Sequence, residues 1–255
     1  ALKQAQDMGY AEADPTSDIE GFDAQYKLAI LSSLAFGTKV DVNSVYREGI
    51  TKIKSIDMKY AKKFDMVIKL LAIAKENNGK LELKAQPTMI PKQHPLANVY
   101  DSFNAIFIKG NAVGDLMFYG RGAGSLPTGS AVVSDIVAIL RSNVDVANYS
   151  HIAQNDLWHR EVQNISESQS KFYIRITVTD QPGVLGEITT TLGKYNVSLR
   201  SVIQKGEENS KGEVTIVLFT HKSSEADVNN AKKELMSLKS VITIDNVIRI
   251  EDFKN

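Results

Sequence analysis

The stretch "KFYIRITVTDQPGVLGEITTTLGKYNVSLRSVIQKG", Lys171 to Gly206, decides how the second half of the chain folds. Its first ten residues alternate apolar and polar side chains, the period-2 pattern of a strand. Pro182-Gly183 opens a helix that runs to the Lys194-Tyr195 region. "NVSLRSVIQKG" returns as a strand. Further on, "GEVTIVLFTH" (Gly212 to His221) is another strand, "SEADVNNAKKELMSL" (Ser224 to Leu238) a helix, and "VITIDNVIRIED" (Val241 to Asp252) a last strand. The order βαββαβ is the ferredoxin-like split motif. Residues 170–255 are therefore expected to form an independent small α+β domain. At Asp180-Gln181-Pro182-Gly183 a strand ends and a helix begins, and the free N–H groups of that helix start suit a carboxylate.

Working back from Lys171, "YSHIAQNDLWHREVQNISESQ" (149–169) is polar and poorly periodic and reads as a linker. Before it, Met66 to Ala74 is an apolar run, Asn78-Gly79 a strong turn signal, and Leu81 to Ala85 alternates, which predicts a hairpin. "FNAIFIKGNAVGDLMFYG" (Phe103 to Gly120) repeats the pattern with its turn at Gly110-Asn111. These four strands are expected in one sheet. "RGAGSLPTGSAVVSDIVAILRSNV" is a glycine loop running into a helix, with Pro127 in its first turn. Ala131, Val132, Asp135, Ile136, Ile139 and Leu140 would make the face of that helix. Phe22 to Phe36 has apolar residues at helical spacing and Gly37 as its stop. The fold class is α+β: a first domain, 1–148, with a mixed β-sheet covered by helices, then the ferredoxin-like second domain.

The 255 residues leave room for two ordinary domains, and 43% are hydrophobic, enough for a sizeable core. Thirty basic and thirty acidic residues cancel. That balance gives no electrostatic reason to expect nucleic acid or an anionic membrane surface as partner. No apolar run approaches the roughly 20 residues that span a bilayer. Cysteine is absent, which rules out disulfides and thiolate metal sites and fits a reducing, cytoplasmic compartment. His94, His151, His159 and His221 lack metal-ligand spacing, so no metal site is expected.

The chemistry-bearing stretch is "GYAEADPTSDIEGFDAQYKLAIL", Gly9 to Leu31. Glu12, Asp14, Asp18, Glu20, Asp23 and Lys27 crowd the mouth of the Phe22–Phe36 helix. Asp23 and Lys27 stand at i, i+4, which taken alone is a surface ion pair worth about 0.3–0.5 kcal/mol. Lys27 also continues along Ile30, Leu31 and Leu34, which places the pair at the end of a stripe expected to face the core. A charge there needs a partner or a substrate. Asp18 is a candidate cap for the helix. Together the carboxylates could grip an amine while the lysine and its paired aspartate move a proton. In "YGRGAGSLPTG", Gly120, Gly122 and Gly124 let the backbone approach a ligand. The loop is not a dinucleotide fingerprint, since Ser125 stands where the last glycine belongs, and a plain turn is the alternative.

These two stretches, "GYAEADPTSDIEGFDAQYKLAIL" and "YGRGAGSLPTGSAVVSD", make the chain resemble the homoserine dehydrogenase family over essentially its whole length. The resemblance implies reduction of L-aspartate 4-semialdehyde to L-homoserine with NADPH or NADH, on the route to threonine, isoleucine and methionine. It implies that Lys27 is the proton donor and Asp23 its orienting partner. Glu12 and Asp18 fall on the substrate-binding acids, and Gly120, Gly122 and Gly124 would lie against the nicotinamide end of the cofactor. Gly129 stands where the family more usually has alanine. "DQPGVLGEITTTLGKYNVSLRSVIQKG" resembles an ACT domain, which implies a bound amino acid, threonine first, around Asp180, Pro182, Gly183, Val184, Leu185 and Asn196. A dimerisation module without ligand is the alternative there. The resemblance further implies a homo-oligomer, a dimer or a tetramer.

The family's N-terminal dinucleotide-binding domain has no counterpart in this sequence. "ALKQAQDMGY" reads as the last turns of a helix whose beginning is missing. The expectation is therefore a fragment that holds the substrate half of a site and little activity by itself. The alternative from another class is an oligomerising, amino-acid-sensing chain without catalysis.

Overall fold

The computed structural model describes residues 2–7, 13–141, 160–204 and 212–253. The first part contains α1 (Leu2–Asp7), α2 (Thr16–Ile19), α3 (Phe22–Phe36), β1 (Tyr46–Arg47), α4 (Ser55–Lys63), β2 (Met66–Asn77), β3 (Lys80–Pro91), β4 (Phe103–Gly110), β5 (Gly114–Arg121) and α5 (Ser125–Arg141). The second contains β6 (Gln169–Thr179), α6 (Val184–Lys194), β7 (Leu199–Gln204), β8 (Glu213–Thr220), β9 (Ser223–Ser224), α7 (Glu225–Leu235) and β10 (Val241–Ile250). The fold is α+β with a mixed sheet and helices. In the second part β10, β6, β8 and β7 lie side by side in that order, all antiparallel. Helices α6 and α7 cover one face through Val184, Ile188, Leu192, Val228, Ala231 and Leu235, which pack on Phe172, Ile174, Ile176, Ile216 and Leu218.

The hairpin β2–β3 forms as its turn residues require. Asn78 and Gly79 both take positive φ, 52° and 80°, the geometry whose twist matches the flanking strands. It does not share a sheet with β4–β5, contrary to the one-sheet expectation. Among the described residues β4 and β5 pair only with each other, in register from Phe103↔Arg121 to Gly110↔Gly114. Period-2 alternation defines a strand but carries no information about its neighbour, so the sequence signal could not separate the two hairpins.

The neighbour of β3 is the second part of the chain. One edge of β3 pairs with β2 along its whole length. The other edge is divided: Lys84 and Ala85 pair with β1, then Thr88 and Met89 pair in parallel with Arg249 and Ile250 of β10. One eight-stranded sheet thus runs through both parts, so the second part is not free-standing in the way its motif order suggested. Residues 160–168, read as linker, are drawn into this junction. Val162 bridges to Leu81, the Leu81 N–H donates to the Glu161 carbonyl, the Gln163 N–H donates to the Leu81 carbonyl, and Ser168 is buried. The part of that stretch before Arg160 lies outside the described residues.

Burial on both faces lets β3 carry charge inside. Leu81 and Leu83 pack on Leu28 and Ala29 of α3, and Met89 packs with Ala61 of α4. On the opposite face Lys84 and Glu82 form a buried ion pair at 2.6 Å, and Ser168 donates to Glu82. Burial pushes the Glu82 carboxyl up, but the charge and hydrogen bond of Lys84 and the Ser168 hydroxyl more than reverse that and leave its pKa low. A second ionic centre joins α4 to the other side of the sheet. Asp57, fully buried, accepts from Arg175 Nε at 2.7 Å, Tyr173 Oη at 2.9 Å, Asn246 Nδ2 at 3.0 Å and the Lys54 backbone N–H at 2.9 Å.

Candidate active site

Helix α2 is one turn long. Pro15 leads into it, and Asp14 accepts from both the backbone N–H and the hydroxyl of Thr16, at 3.1 and 2.6 Å. Those two bonds hold the Asp14 carboxyl below its ordinary pKa. Gly21 then takes φ 79° and caps α3, a left-handed conformation that a side chain would strain. Asp18 therefore does not cap α3, as its position suggested. It lies one turn upstream, exposed, in α2, and the Gly21 N–H bonds to its carbonyl. Glu12 lies outside the described residues.

Asp23 and Lys27 project from the first turns of α3 with Nζ 2.7 Å from the carboxylate. Their side chains are 45% and 63% exposed, so the pair contributes no more to folding than a surface ion pair does. The stripe that continues from Lys27 does not face the core. Ile30, Leu31 and Leu34 are 62%, 40% and 60% exposed, while Leu28, Ala29 and Ser32 are buried. Helix α3 is apolar on both sides, so spacing alone could not choose the inner one. The result is a proton-bearing pair at the head of an uncovered apolar strip. Gln25 fixes the rotation of the helix by donating to the carbonyls of Val42 and Val45 at 3.1 and 2.9 Å.

The glycine loop sits elsewhere, at the end of β5 and the start of α5. A Cβ on Gly122 would lie 1.4 Å from Asn104 Nδ2, and Gly124 takes φ 120° immediately before the first turn of α5. Gly122 thus makes room for Asn104, while Gly120, where a Cβ would meet nothing within 4 Å, leaves bare backbone near a helix N-terminus, which fits the approach of a flat or anionic group. No described hydrogen bond or ion pair joins it to the α2–α3 mouth. Every described side chain of α5 is at least partly exposed, among them Val132, Val133, Ile136, Ile139 and Leu140, and so are Ile106, Ile108, Leu116 and Phe118 of β4–β5.

In the second part Asp180, Pro182, Gly183, Val184 and Leu185 gather at the β6–α6 turn. Gly183 caps α6 at φ 94° with no side-chain cap, and Gln204 donates to Asp180 at 3.4 Å. Asn196 is at the far end of α6, whose 11 residues separate it from Gly183 by about 16 Å. One chain does not bring these residues together.

Sequence reasoning missed the residues that hold the α2–α3 mouth in place. Arg47 donates to the carbonyl of Glu20 and lies 3.6 Å over the Phe22 ring, and the Ile50 N–H bonds to the Ile19 carbonyl at 2.8 Å. A two-residue strand such as β1 is too short to leave a periodic signal.

Comparison with known families places these features. The family model described as homoserine dehydrogenase matches residues 1–137, and the ACT domain model matches residues 172–240. The homoserine dehydrogenase of Bacillus subtilis is 38% identical over 251 residues, covering 98% of this chain and 58% of that protein. That of Neisseria gonorrhoeae is 41% identical over 254 residues, with 98% and 58% covered. Among solved structures, a homoserine dehydrogenase from Thiobacillus denitrificans superposes with a TM-score of 0.90 at 38% identity, covering 99% of this chain and 58% of that one. The chain thus spans somewhat more than half the length of the relatives it matches.

Proposed function

The chain belongs to the homoserine dehydrogenase family, and we propose that it is the substrate-binding and regulatory portion of an enzyme that reduces L-aspartate 4-semialdehyde to L-homoserine in the cytoplasm. The observation that carries this reading is the Asp23–Lys27 pair at 2.7 Å, left exposed at a helix mouth that also carries Asp18. A salt bridge so placed adds little stability, yet it holds an ammonium where a carbonyl oxygen could meet it. On this reading Asp18, with Glu12, binds the amino group of the substrate. Asp23 orients Lys27, and Lys27 gives its proton to the aldehyde oxygen as that oxygen gains charge. A bound NADPH or NADH supplies the hydride. The residues that would hold its nicotinamide end are Gly120, Gly122 and Gly124, where bare backbone meets the α5 N-terminus.

The exposed apolar residues of α5 and of β4–β5 support further contacts, with a nucleotide-binding domain and with a second copy of the chain respectively. Residues 1–148 are then the substrate and dimerisation domain, 149–169 the connection, and 170–255 the regulatory ACT domain. Its effector is an amino acid, threonine first, bound between two ACT domains so that Asp180, Pro182, Gly183, Val184 and Leu185 of one meet Asn196 of the other.

The test is Lys27→Ala in the full-length enzyme. Loss of a general acid lowers kcat by about 10²–10⁴-fold, whereas loss of a surface pair leaves it within about twofold. The ACT match over residues 172–240 favours, as a second reading, an amino-acid-sensing chain without catalysis, and the same variant separates the two. The 255-residue chain by itself is expected to oxidise no homoserine, and measurable NADPH formation by it would overturn that expectation.

A further inference from the structure

The α2–α3 mouth is tied to the far end of the chain through one arginine. Arg249 of β10 is almost fully buried. It grips Glu225, in the first turn of α7, with Nε and Nη2 at 2.7 and 2.9 Å. That two-point contact fixes the guanidinium plane. The remaining nitrogen, Nη1, donates to Glu48, and Nη2 also reaches the Tyr46 hydroxyl at 3.2 Å. Burial works against the charge of Arg249, but the hydrogen bonds and charge of Glu225, with Tyr46 and Glu48 behind them, hold its pKa above the ordinary value. It is a permanent cation in a fixed place.

Tyr46 and Glu48 belong to an extended strap, residues 46–50, whose alternate residues point opposite ways. Tyr46 and Glu48 face Arg249. Arg47 and Gly49 face the helix mouth. Arg47 holds the Glu20 carbonyl and the Phe22 ring. At Gly49 the backbone runs so close to α2 that an added Cβ would lie 2.6 Å from the Ile19 carbonyl and 2.7 Å from the Glu20 Cα. Ile50 completes the tie with its N–H on Ile19. The strap thus has one face on Arg249 and the other on the turn between Asp18 and Asp23.

We propose that Arg249 is a positioning residue for the substrate site, acting from the ACT half of the chain through Glu48 and the 46–50 strap. The inference rests on the reading of the α2–α3 mouth as that site. Its test uses Arg249→Met, Arg249→Lys and Glu48→Gln in the full-length enzyme. Amide hydrogen exchange at residues 18–25 should rise about tenfold in the Met and Gln variants, the order expected when a charged hydrogen bond is lost. In Glu48→Gln, which keeps the Arg249–Glu225 pair, exchange in β6 and β8 should stay as in the wild type, and Arg249→Lys should restore part of the protection lost in Arg249→Met. The KM for homoserine should rise by a similar factor while the KM for the nicotinamide cofactor holds. Unchanged exchange at 18–25, an equal rise in β6 and β8 in Glu48→Gln, or an unchanged KM for homoserine would overturn the proposal. Should Arg249→Met fail to fold, Glu48→Gln decides, since it removes only the charge by which the strap is held and leaves the Arg249–Glu225 pair intact. A wild-type enzyme that does not turn over homoserine would refute the functional reading instead, and exchange at 18–25 would still decide whether Arg249 holds the strap.

Discussion

Replacing Asp57 by alanine should separate the two parts of the molecule energetically. The carboxylate is fully buried and receives five hydrogen bonds: from Lys54 N, Tyr173 Oη, Arg175 Nε, Arg175 Nη2 and Asn246 Nδ2. Its removal strands a buried guanidinium, a loss of about 3–5 kcal/mol. Arg175 keeps Asp245 at 3.3 Å, which favours the lower end of that range. The lost bond to Lys54 at the start of α4 adds about 1 kcal/mol. The sum, about 4 kcal/mol, corresponds to a fall of about 8–16 °C in Tm for a chain of this size. Thermal unfolding followed by circular dichroism at pH 7 measures it. The pH dependence gives a second check. Burial raises the Asp57 pKa, but Arg175, the Lys54 N–H, Asn246 and Tyr173 outweigh it, so the folded value lies below the ordinary one. A depressed carboxyl stabilises the fold fully above its unfolded pKa, about 4, and loses that contribution as pH falls through the folded value. Wild type and Asp57→Asn should therefore differ by a constant amount from about pH 5 to 8 and converge below about pH 4. A fall of less than about 3 °C for Asp57→Ala, equivalent to about 1 kcal/mol, would refute the claim that this centre holds α4 to the second part.

Lys84→Met should lower stability by about 3–5 kcal/mol in urea unfolding, because Glu82 is left charged in the interior, whereas Lys84→Met with Glu82→Leu should come out near the wild type. Gly49→Ala should cost about 1–3 kcal/mol in the same assay, since the new Cβ meets backbone rather than a movable side chain. Calorimetry of threonine against the full-length enzyme should give heat that Asn196→Ala abolishes; absence of heat with threonine and other amino acids would leave the ACT half as a pairing module.

The elements marked by strong punctuation were legible in the sequence. Gly37 ends α3, Asn78-Gly79 marks the β2–β3 turn, and the strand–helix alternation after Lys171 carries the ferredoxin-like order, whereas the Gly21 cap of α3 was missed. Orientation and partnership were not. The face of α3 that carries Lys27 turned outward because both faces are apolar. Glu82 and Lys84 form the polar half of the Leu81–Ala85 alternation, yet both are buried, with Ser168 bonded to each of them. Asp23 and Lys27 were visible as a spaced pair. The Arg249–Glu48 tie spans 201 residues, a separation at which no local pattern exists.

The divided edge of β3 sets an order on how the molecule can be made. β1 covers Lys84 and Ala85 early, but Thr88 and Met89 wait for Arg249 and Ile250. On a ribosome the first part emerges with part of one edge of a central strand unpaired and with Glu82 and Lys84 uncovered until Ser168 arrives. An open strand edge is a template for pairing with other chains, and contacts this distant in sequence close slowly. The nascent chain therefore carries an open pairing edge until β10 is delivered.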